Sequence, residues 1–391
     1  MLLSKKHGFC GKRPVKSSRN GDTFNCYGLD GVKGQMTLKV ALVGCGKVAD
    51  QHVREIRKLR HALLMAVCDQ EPLMAEQLAF RYNIARHYCD FERMLEETRP
   101  DVVHVNTPPQ THLCLTTKGV DAGCHIFVEK PLALDSKDAE YLINYAERKN
   151  RKLTIGYTYY FDPIMRALRE MVYGGVLGTI VHVESFLGYD LDGPYGQPVM
   201  VDDEHWVRRL PGGLVHNVID HLLIEVIEFI PDETLRVAVD AWEGPTSFGL
   251  PNELRLTLRG AQVSAYVTFS SHTRPLMHRL TVYGSKNTVH LDFVNSCITF
   301  ESVPTLPGAL ARLASPFHQS KQYLLEGVRN VIRFAKSEYQ YFAGLNFLIS
   351  SFYDSILRKQ PVPISYVEIL RVSRLMDELI LQMRTAGSVY Q

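Results

Sequence analysis

The chain has 391 residues, enough for two domains that each bury a core, and no apolar run approaches the roughly 18 residues that a membrane span needs. Its formal net charge is +2, but the first 36 residues carry seven Lys/Arg against two Asp, so the remainder holds 37 basic and 40 acidic residues, a net of −3. That balance excludes a nucleic-acid binder, whose basic surface must neutralise phosphates, and the length excludes a small disulfide scaffold.

Residues 1–36 mix Lys, Arg, Ser, Asn and Gly without the continuous apolar segment of a secretory signal. They read as a flexible leader, or as an upstream start with Met36 the functional one, rather than as a basic docking arm. The eight cysteines are scattered with no CxxC pair, and several fall in apolar stretches. Reduced core thiols are expected, and with them a reducing, cytoplasmic setting.

From Leu38 onward short apolar strands alternate with helical stretches. Strands are expected over 38–43, 63–68, 102–106, 126–128 and 153–157, and helices over 49–59, 73–82, 91–97, 111–122 and 136–149. Alternation of this kind builds a doubly wound parallel sheet with crossover helices, assigned here to residues 37–158.

The first strand runs straight into Gly44-Cys45-Gly46-Lys47-Val48-Ala49. A GxGxxA between strand and helix lets the backbone turn sharply and approach a pyrophosphate, whose charge meets the helix N-terminus. The second strand leads to Asp69, twenty residues past Ala49, where a carboxylate can accept hydrogen bonds from an adenosine ribose. With Gln70 and Glu71 beside it and no Arg, the cofactor expected is NAD, with NADP possible.

The next strand ends in Asn106-Thr107-Pro108-Pro109-Gln110-Thr111-His112, where prolines splay the chain at the carboxyl edge at which such sheets bind ligands. Asn106, Thr107, Pro108 and His112 are therefore cofactor candidates, although Thr111 as a plain helix cap explains the loop equally well. The fifth strand ends in Glu129-Lys130-Pro131. A lysine there can lower the pKa of a substrate hydroxyl, with Glu129 fixing its direction.

Residues 159–391 have a different texture and read as an α+β domain with a large, mostly antiparallel open sheet. A helix over 164–173 and a strand from about 179 precede an irregular stretch, 189–211, and an apolar helix over 214–230. Strands over 235–242, 253–258, 263–269, 280–283, 288–293 and 297–300 follow, then a loop over 305–316 and helices over 319–336, 343–358 and 365–386. In the apolar helix Asn217, His221, Glu225 and Glu228 share one stripe and His216 and Asp220 the next. His216, Asp220 and His221 have no third ligand at recognisable spacing, so no metal is expected.

The motifs GCGKVAD, NTPPQTH, VEKPLA, GYTYYFDP, GVLGTI and the GG-x3-N-x3-H helix, in this order, resemble the glucose-fructose oxidoreductase / inositol dehydrogenase (Gfo/Idh/MocA) family across residues 38 to about 385. The resemblance implies a Rossmann domain, a second domain whose open sheet often joins copies into a homo-oligomer, and hydride transfer between NAD(P) and a hydroxyl or carbonyl carbon of a sugar-like substrate. It maps the family lysine onto Lys130 and the family histidine onto His221. Asn217 stands where many members have aspartate, and Tyr160 where many have Arg or another polar residue. Tyr157, Tyr160, Trp206, Arg208, Asn217 and Asp220 are the substrate-side candidates, although a solvated charge pair accounts for Arg208 and Arg209 equally well.

The expected activity is an NAD(P)-dependent oxidoreductase acting on CH–OH of a sugar, cyclitol or sugar nucleotide, with Lys130, His221 and Asn217 carrying the chemistry. The alternatives are a reductase of the same family acting on an imine or dihydrodiol, and a non-catalytic NAD(P)H sensor. Neither nucleic acid nor membrane is expected as a partner.

Overall fold

Strand β1 (Leu38–Val43) is apolar at five of six positions and buried everywhere but Lys39, as a strand must be when helices cover both faces of a parallel sheet. The computed structural model describes residues 37–193, 196–245, 249, 251–302, 306–336, 339 and 342–387, so the leader lies outside the described residues.

Five further strands, β2 (Ala62–Cys68), β3 (Arg86–Tyr88), β4 (Val102–Val105), β5 (His125–Val128) and β6 (Leu153–Ile155), join β1 in a parallel sheet of order β3-β2-β1-β4-β5-β6. The crossovers are α1 (Ala49–Lys58), α2 (Pro72–Tyr82), α3 (Phe91–Thr98), α4 (His112–Asp121) and α5 (Ser136–Arg148). Strand order reverses between β1 and β4, so the two loops that leave these strands open a crevice at the carboxyl edge. Strand β3 was absent from the sequence reading: it is a three-residue edge strand with only Tyr88 buried, too short for any periodicity to register.

Helix α6 (Pro163–Tyr173) leads to a seven-stranded sheet of order β13-β12-β11-β7-β10-β9-β8. Its strands are β7 (Ile180–Asp190), β8 (Arg236–Trp242), β9 (Glu253–Arg259), β10 (Ser264–Ser270), β11 (His272–Gly284), β12 (Asn287–Asp292) and β13 (Cys297–Ser302). All neighbours are antiparallel except β7 and β10. The stretch expected to be irregular holds the end of β7, a short helix α7 (Gln197–Val201) and a 3-10 turn over Trp206–Arg209. Helix α8 (Gly213–Ile227) is buried at thirteen of its fifteen positions and packs against this sheet.

The expected loop over 305–316 is corrected from Gly308 onward, because α9 (Gly308–Ala335) starts there and carries Pro316 inside it. Helices α10 (Ala343–Leu357) and α11 (Tyr366–Gly387) return to the first sheet: Phe352 meets Phe127, Asn346 donates to Glu55, and the Ser136 N–H donates to Asp377.

Candidate active site

The β1 turn and the loop after β4 touch at the strand-order reversal. Gly44 has φ +91°, and a Cβ there would sit 2.6–2.8 Å from the backbone of Asn106 and Thr107, so only glycine closes this turn. Two residues on, a Cβ at Gly46 would meet nothing within 4 Å, and the Val48 cap of α1 supplies no side-chain hydrogen bond to that helix end. Asp69, the first residue past β2, accepts the Cys45 N–H at 2.7 Å and the Glu71 N–H at 2.9 Å. Asn106 is buried, and neither side-chain atom has a partner among the described residues. An open glycine, a helix N-terminus with no side-chain cap and an orphaned amide together fit the diphosphate and carboxamide of a nicotinamide dinucleotide.

Lys130, just past β5, reaches across to α8: its Nζ donates to the Asn217 carbonyl O at 2.6 Å and lies 3.4 Å from Asn217 Oδ1. Gly213 begins α8 at φ +54°, a conformation glycine adopts without strain, and the next turn places His216, Asn217, Asp220 and His221 around this ammonium. Asp220 is fully buried, its Oδ1 accepts the His221 N–H at 2.9 Å, and its Oδ2 has no partner among the described residues. Burial pushes the Asp220 carboxyl up to about 6, against the pull of Lys130. Burial, and then the charges of Lys130 and His278, hold the His221 imidazole well below its ordinary value. Its Nδ1 has no partner among the described residues. Burial and the same ammonium, with Arg384, bring His216 down to about 4. Tyr157 and His216 line one narrow cavity with Pro131 and Met376, and burial and the Asp220 charge raise the Tyr157 hydroxyl well above its usual range.

Behind Lys130 runs a buried chain that sequence reasoning missed. Glu129 Oε1 lies 2.8 Å from His52 Nε2, His52 Nδ1 lies 2.8 Å from His104 Nδ1, and His104 Nε2 lies 2.8 Å from the Tyr353 hydroxyl. Burial and the His52 charge keep His104 well below its ordinary value, hence neutral. Each of the three contacts needs one proton only, which a neutral His104 allows. Burial alone would raise the Glu129 carboxyl, but the His52 hydrogen bond and charge, with Lys130, bring it below its usual range. The signal was present in the sequence: His104 interrupts the apolar strand VVHV, and His52 sits on the buried face of α1.

Other expected site residues are spent differently. His112 lies between two crevice loops, its Nδ1 2.9 Å from the Pro131 carbonyl and its Nε2 2.8 Å from the Thr107 carbonyl, one of which accepts its single N–H. Thr111 Oγ1 lies 2.8 Å from the Pro108 carbonyl, which accepts its proton, and 2.7 Å from the Thr107 hydroxyl. The structure does not bring Tyr160 to Lys130: Arg169 stacks 3.8 Å from its ring centroid and its hydroxyl faces Glu368. Its neighbour Tyr159 instead sets its ring edge-on to His221 and His278. The Trp206 carbonyl accepts from Gln110, while Arg208 binds the Val199 and Met200 carbonyls and pairs with Asp203. Glu225 and Glu228 continue the α8 stripe away from Lys130, toward Ser185 with His278 and toward Arg169. No metal-holding group of His, Cys, Asp and Glu occurs among the described residues.

Residues 38–157 match the model of the Gfo/Idh/MocA oxidoreductase family, NAD-binding Rossmann fold. D-glucoside 3-dehydrogenase of Escherichia coli (strain K12) is 36% identical over 153 residues, 38% of this chain and 44% of that one. Inositol 2-dehydrogenase of Rhizobium meliloti (strain 1021) is 30% identical over 145 residues, 37% of this chain and 43% of that one. The chain thus spans less than half the length of these curated relatives. The WlbA dehydrogenase of Bordetella pertussis, solved in complex with NADH and UDP-GlcNAcA, superposes with a TM-score of 0.72 at 17% identity, over 90% of this chain and 96% of that one. That likeness establishes the fold across both sheets.

Proposed function

We propose that this chain, whose residues 38–157 match the model of the Gfo/Idh/MocA oxidoreductase family, NAD-binding Rossmann fold, is an NAD-dependent dehydrogenase. Its substrate is the CH–OH or C=O carbon of a sugar, cyclitol or sugar nucleotide. One contact carries the reading: Lys130 Nζ on the Asn217 carbonyl at 2.6 Å, which joins the edge of the first sheet to α8 and gathers an ammonium, a neutral imidazole and a buried carboxyl in one place. The relatives named for glucoside and inositol oxidation support the substrate class.

The dinucleotide, when bound, supplies the acceptor or donor of a hydride. Gly44, Gly46, Lys47, Val48 and Ala49 would hold its diphosphate, Asp69 its adenosine ribose, and Asn106, Thr107 and Pro108 the nicotinamide end. Asp69 favours NAD over NADP, since a 2′-phosphate would meet its carboxylate. Lys130, anchored by one hydrogen bond to Asn217, directs its remaining N–H groups at the reacting oxygen and stabilises negative charge there. His221, neutral because its site is desolvated, takes the hydroxyl proton at Nδ1 in oxidation and returns it in reduction. Asp220 lies beside both, and the Asn217 amide orients the substrate.

Two coarser features belong to the same reading. The outer face of the second sheet leaves Trp242 and Tyr266 exposed, which supports pairing of copies through that sheet. The six cysteines among the described residues are free thiols, consistent with a reducing cytoplasm.

The test is a panel of sugars, cyclitols and sugar nucleotides incubated with the full chain and NAD, followed by nicotinamide absorbance and by thermal shift. One class is expected to give turnover that Lys130→Met removes. Binding of NADH with no turnover on any member would overturn the dehydrogenase reading in favour of an NAD(H) sensor.

A further inference from the structure

A histidine that moves protons is ordinarily oriented by a hydrogen bond to its second ring nitrogen, from a carboxylate or a carbonyl. His221 has no such bond. Asp220 accepts its backbone N–H, and its ring makes no hydrogen bond among the described residues. The rotation of the imidazole is therefore set by packing. Among the described residues one aromatic ring meets it: Tyr159, with its centroid 5.1 Å away and the two planes at 85°.

Tyr159 opens a 3-10 turn, Tyr159–Phe161, just after β6. Its ring also meets His278 of β11 edge-on, at 4.5 Å and 85°, and Phe293 at 5.6 Å. His278 in turn lies 4.4 Å from Phe293 with the planes at 31°. Tyr159 is thus a wedge between two imidazoles, one on α8 and one on the second sheet.

Behind the wedge a polar trio interrupts an apolar layer. Glu225 follows His221 by one turn of α8, and it is buried with His278 and with Ser185 of β7. His278 Nε2 lies 2.9 Å from Glu225 Oε1 and 3.2 Å from Oε2, and the Ser185 hydroxyl donates to Oε2 at 3.0 Å. The residues that alternate with them on the same face, Val183 and Leu187 of β7 and Leu280 and Val282 of β11, are apolar and buried. Apolar side chains in place of a buried carboxylate and imidazole are often neutral or stabilising, because both polar partners lose water on folding. Stability is therefore a poor reason for this pair. What it supplies is direction: the carboxylate fixes the rotation of the His278 ring, and with it the surface on which Tyr159 rests.

We propose that Tyr159 is the positioning residue of His221, and that the buried Glu225–His278 pair locks Tyr159 against it. The inference rests on the dehydrogenase reading, in which His221 moves the hydroxyl proton. An imidazole free to rotate would present Nδ1 to the reacting oxygen in only part of its orientations, and misplacement of a reacting group lowers turnover more than binding.

The first experiment needs no turnover. In the full chain, deuterated except at histidine and tyrosine, a nuclear Overhauser contact is expected between the His221 and Tyr159 rings, whose signals are identified by their loss in His221→Ala and Tyr159→Phe. The double variant Glu225→Leu/His278→Leu should weaken or abolish that contact while NADH affinity and the urea midpoint stay at the parent's level. Both partners are replaced together because removing one leaves the other buried and uncompensated. No contact between the rings in the parent overturns the wedge, and an undiminished contact in the double variant overturns the lock. Kinetics on the substrate found by the panel form the second arm: Tyr159→Leu should lower kcat about 10- to 100-fold with KM within about 3-fold of the parent. Tyr159→Phe, which keeps the ring, should restore most of that loss. Parent-like kcat in Tyr159→Leu overturns the proposal, as does an equal loss in Tyr159→Phe, which would assign the effect to the hydroxyl. A parent that turns over no member of the panel counts against the dehydrogenase reading, while the ring contact still decides whether Tyr159 orients His221.

Discussion

His52 and His104 face each other through their Nδ1 atoms at 2.8 Å, both fully buried, one on α1 and the other in the middle of β4. Between two such nitrogens a hydrogen bond needs one proton only, so the pair holds its geometry with His104 neutral. Its outer nitrogens anchor Glu129 on one side and Tyr353 on the other. The chain therefore fixes the carboxylate next to Lys130 from a helix, a strand and α10 at once.

Replacing His104 by Phe keeps the ring volume that stacks on Phe127 but leaves His52 Nδ1 and the Tyr353 hydroxyl unpaired in the interior. An orphaned buried polar group costs about 1–3 kcal/mol. The urea midpoint of His104→Phe should fall accordingly with an unchanged slope, and kcat should drop more than KM rises as Glu129 loosens. A variant as stable as the parent would show that the chain contributes nothing to the fold.

Stability should decline as the solution is acidified below the ordinary histidine range. His104, His112, His125, His216 and His221 all have folded values below 6.5, with His125 and His216 at about 4. The unfolded chain therefore binds protons first. Their contribution is complete above 6.5 and is lost as pH falls toward the folded values. Asp162 and Asp220, raised to about 6 by burial, act in the opposite sense: their contribution is present at low pH and is lost as pH rises through 6. With His205 also lowered and Asp138 and Glu228 also raised, six imidazoles outweigh four carboxyls, so urea midpoints should fall from about pH 7 to about pH 5. His216→Leu should flatten that slope, and equal slopes in the two proteins would contradict the assignment.

The two glycines of the first turn should separate folding from cofactor binding. Gly44→Ala places a Cβ 2.6 Å from the Asn106 backbone at φ +91°, so it should destabilise by about 1–3 kcal/mol. Gly46→Val meets no protein atom from its Cβ and should leave the urea midpoint within about 0.5 kcal/mol of the parent. Its side chain fills the open space instead, and NADH affinity should fall at least ~10-fold, or about 1.4 kcal/mol. Chemical denaturation and NADH titration of both variants decide this, and undiminished NADH affinity in Gly46→Val would place the diphosphate elsewhere.

At the reacting centre, Lys130→Met and His221→Ala should leave NADH affinity nearly unchanged while kcat falls about 10²- to 10⁴-fold. Asn217→Ala should act on KM, because the strong contact to Lys130 uses the backbone carbonyl, which survives truncation. Steady-state kinetics on the substrate found by the panel are the measurement. Near-normal kcat in both Lys130 and His221 variants would make this polar group structural.

The sequence alone determined the parallel sheet, the glycine turn, the carboxylate after β2 and the lysine after β5, because each rests on local pattern: apolar runs, a glycine spacing, a residue at a strand end. It also placed His216, Asn217, Asp220 and His221 on neighbouring stripes of one helix. Which of these meet was decided by tertiary packing. The Lys130 to Asn217 contact spans 87 residues and the His104 to Tyr353 contact 249, separations on which helical or strand periods are silent. The same holds for Tyr160, which follows β6: Arg169 and Glu368 meet it from α6 and α11. Helix α9 follows the amphipathic pattern, but only the docked structure reveals that its polar side faces the protein, because a hydrophobic period fixes the direction of a face and not what lies against it.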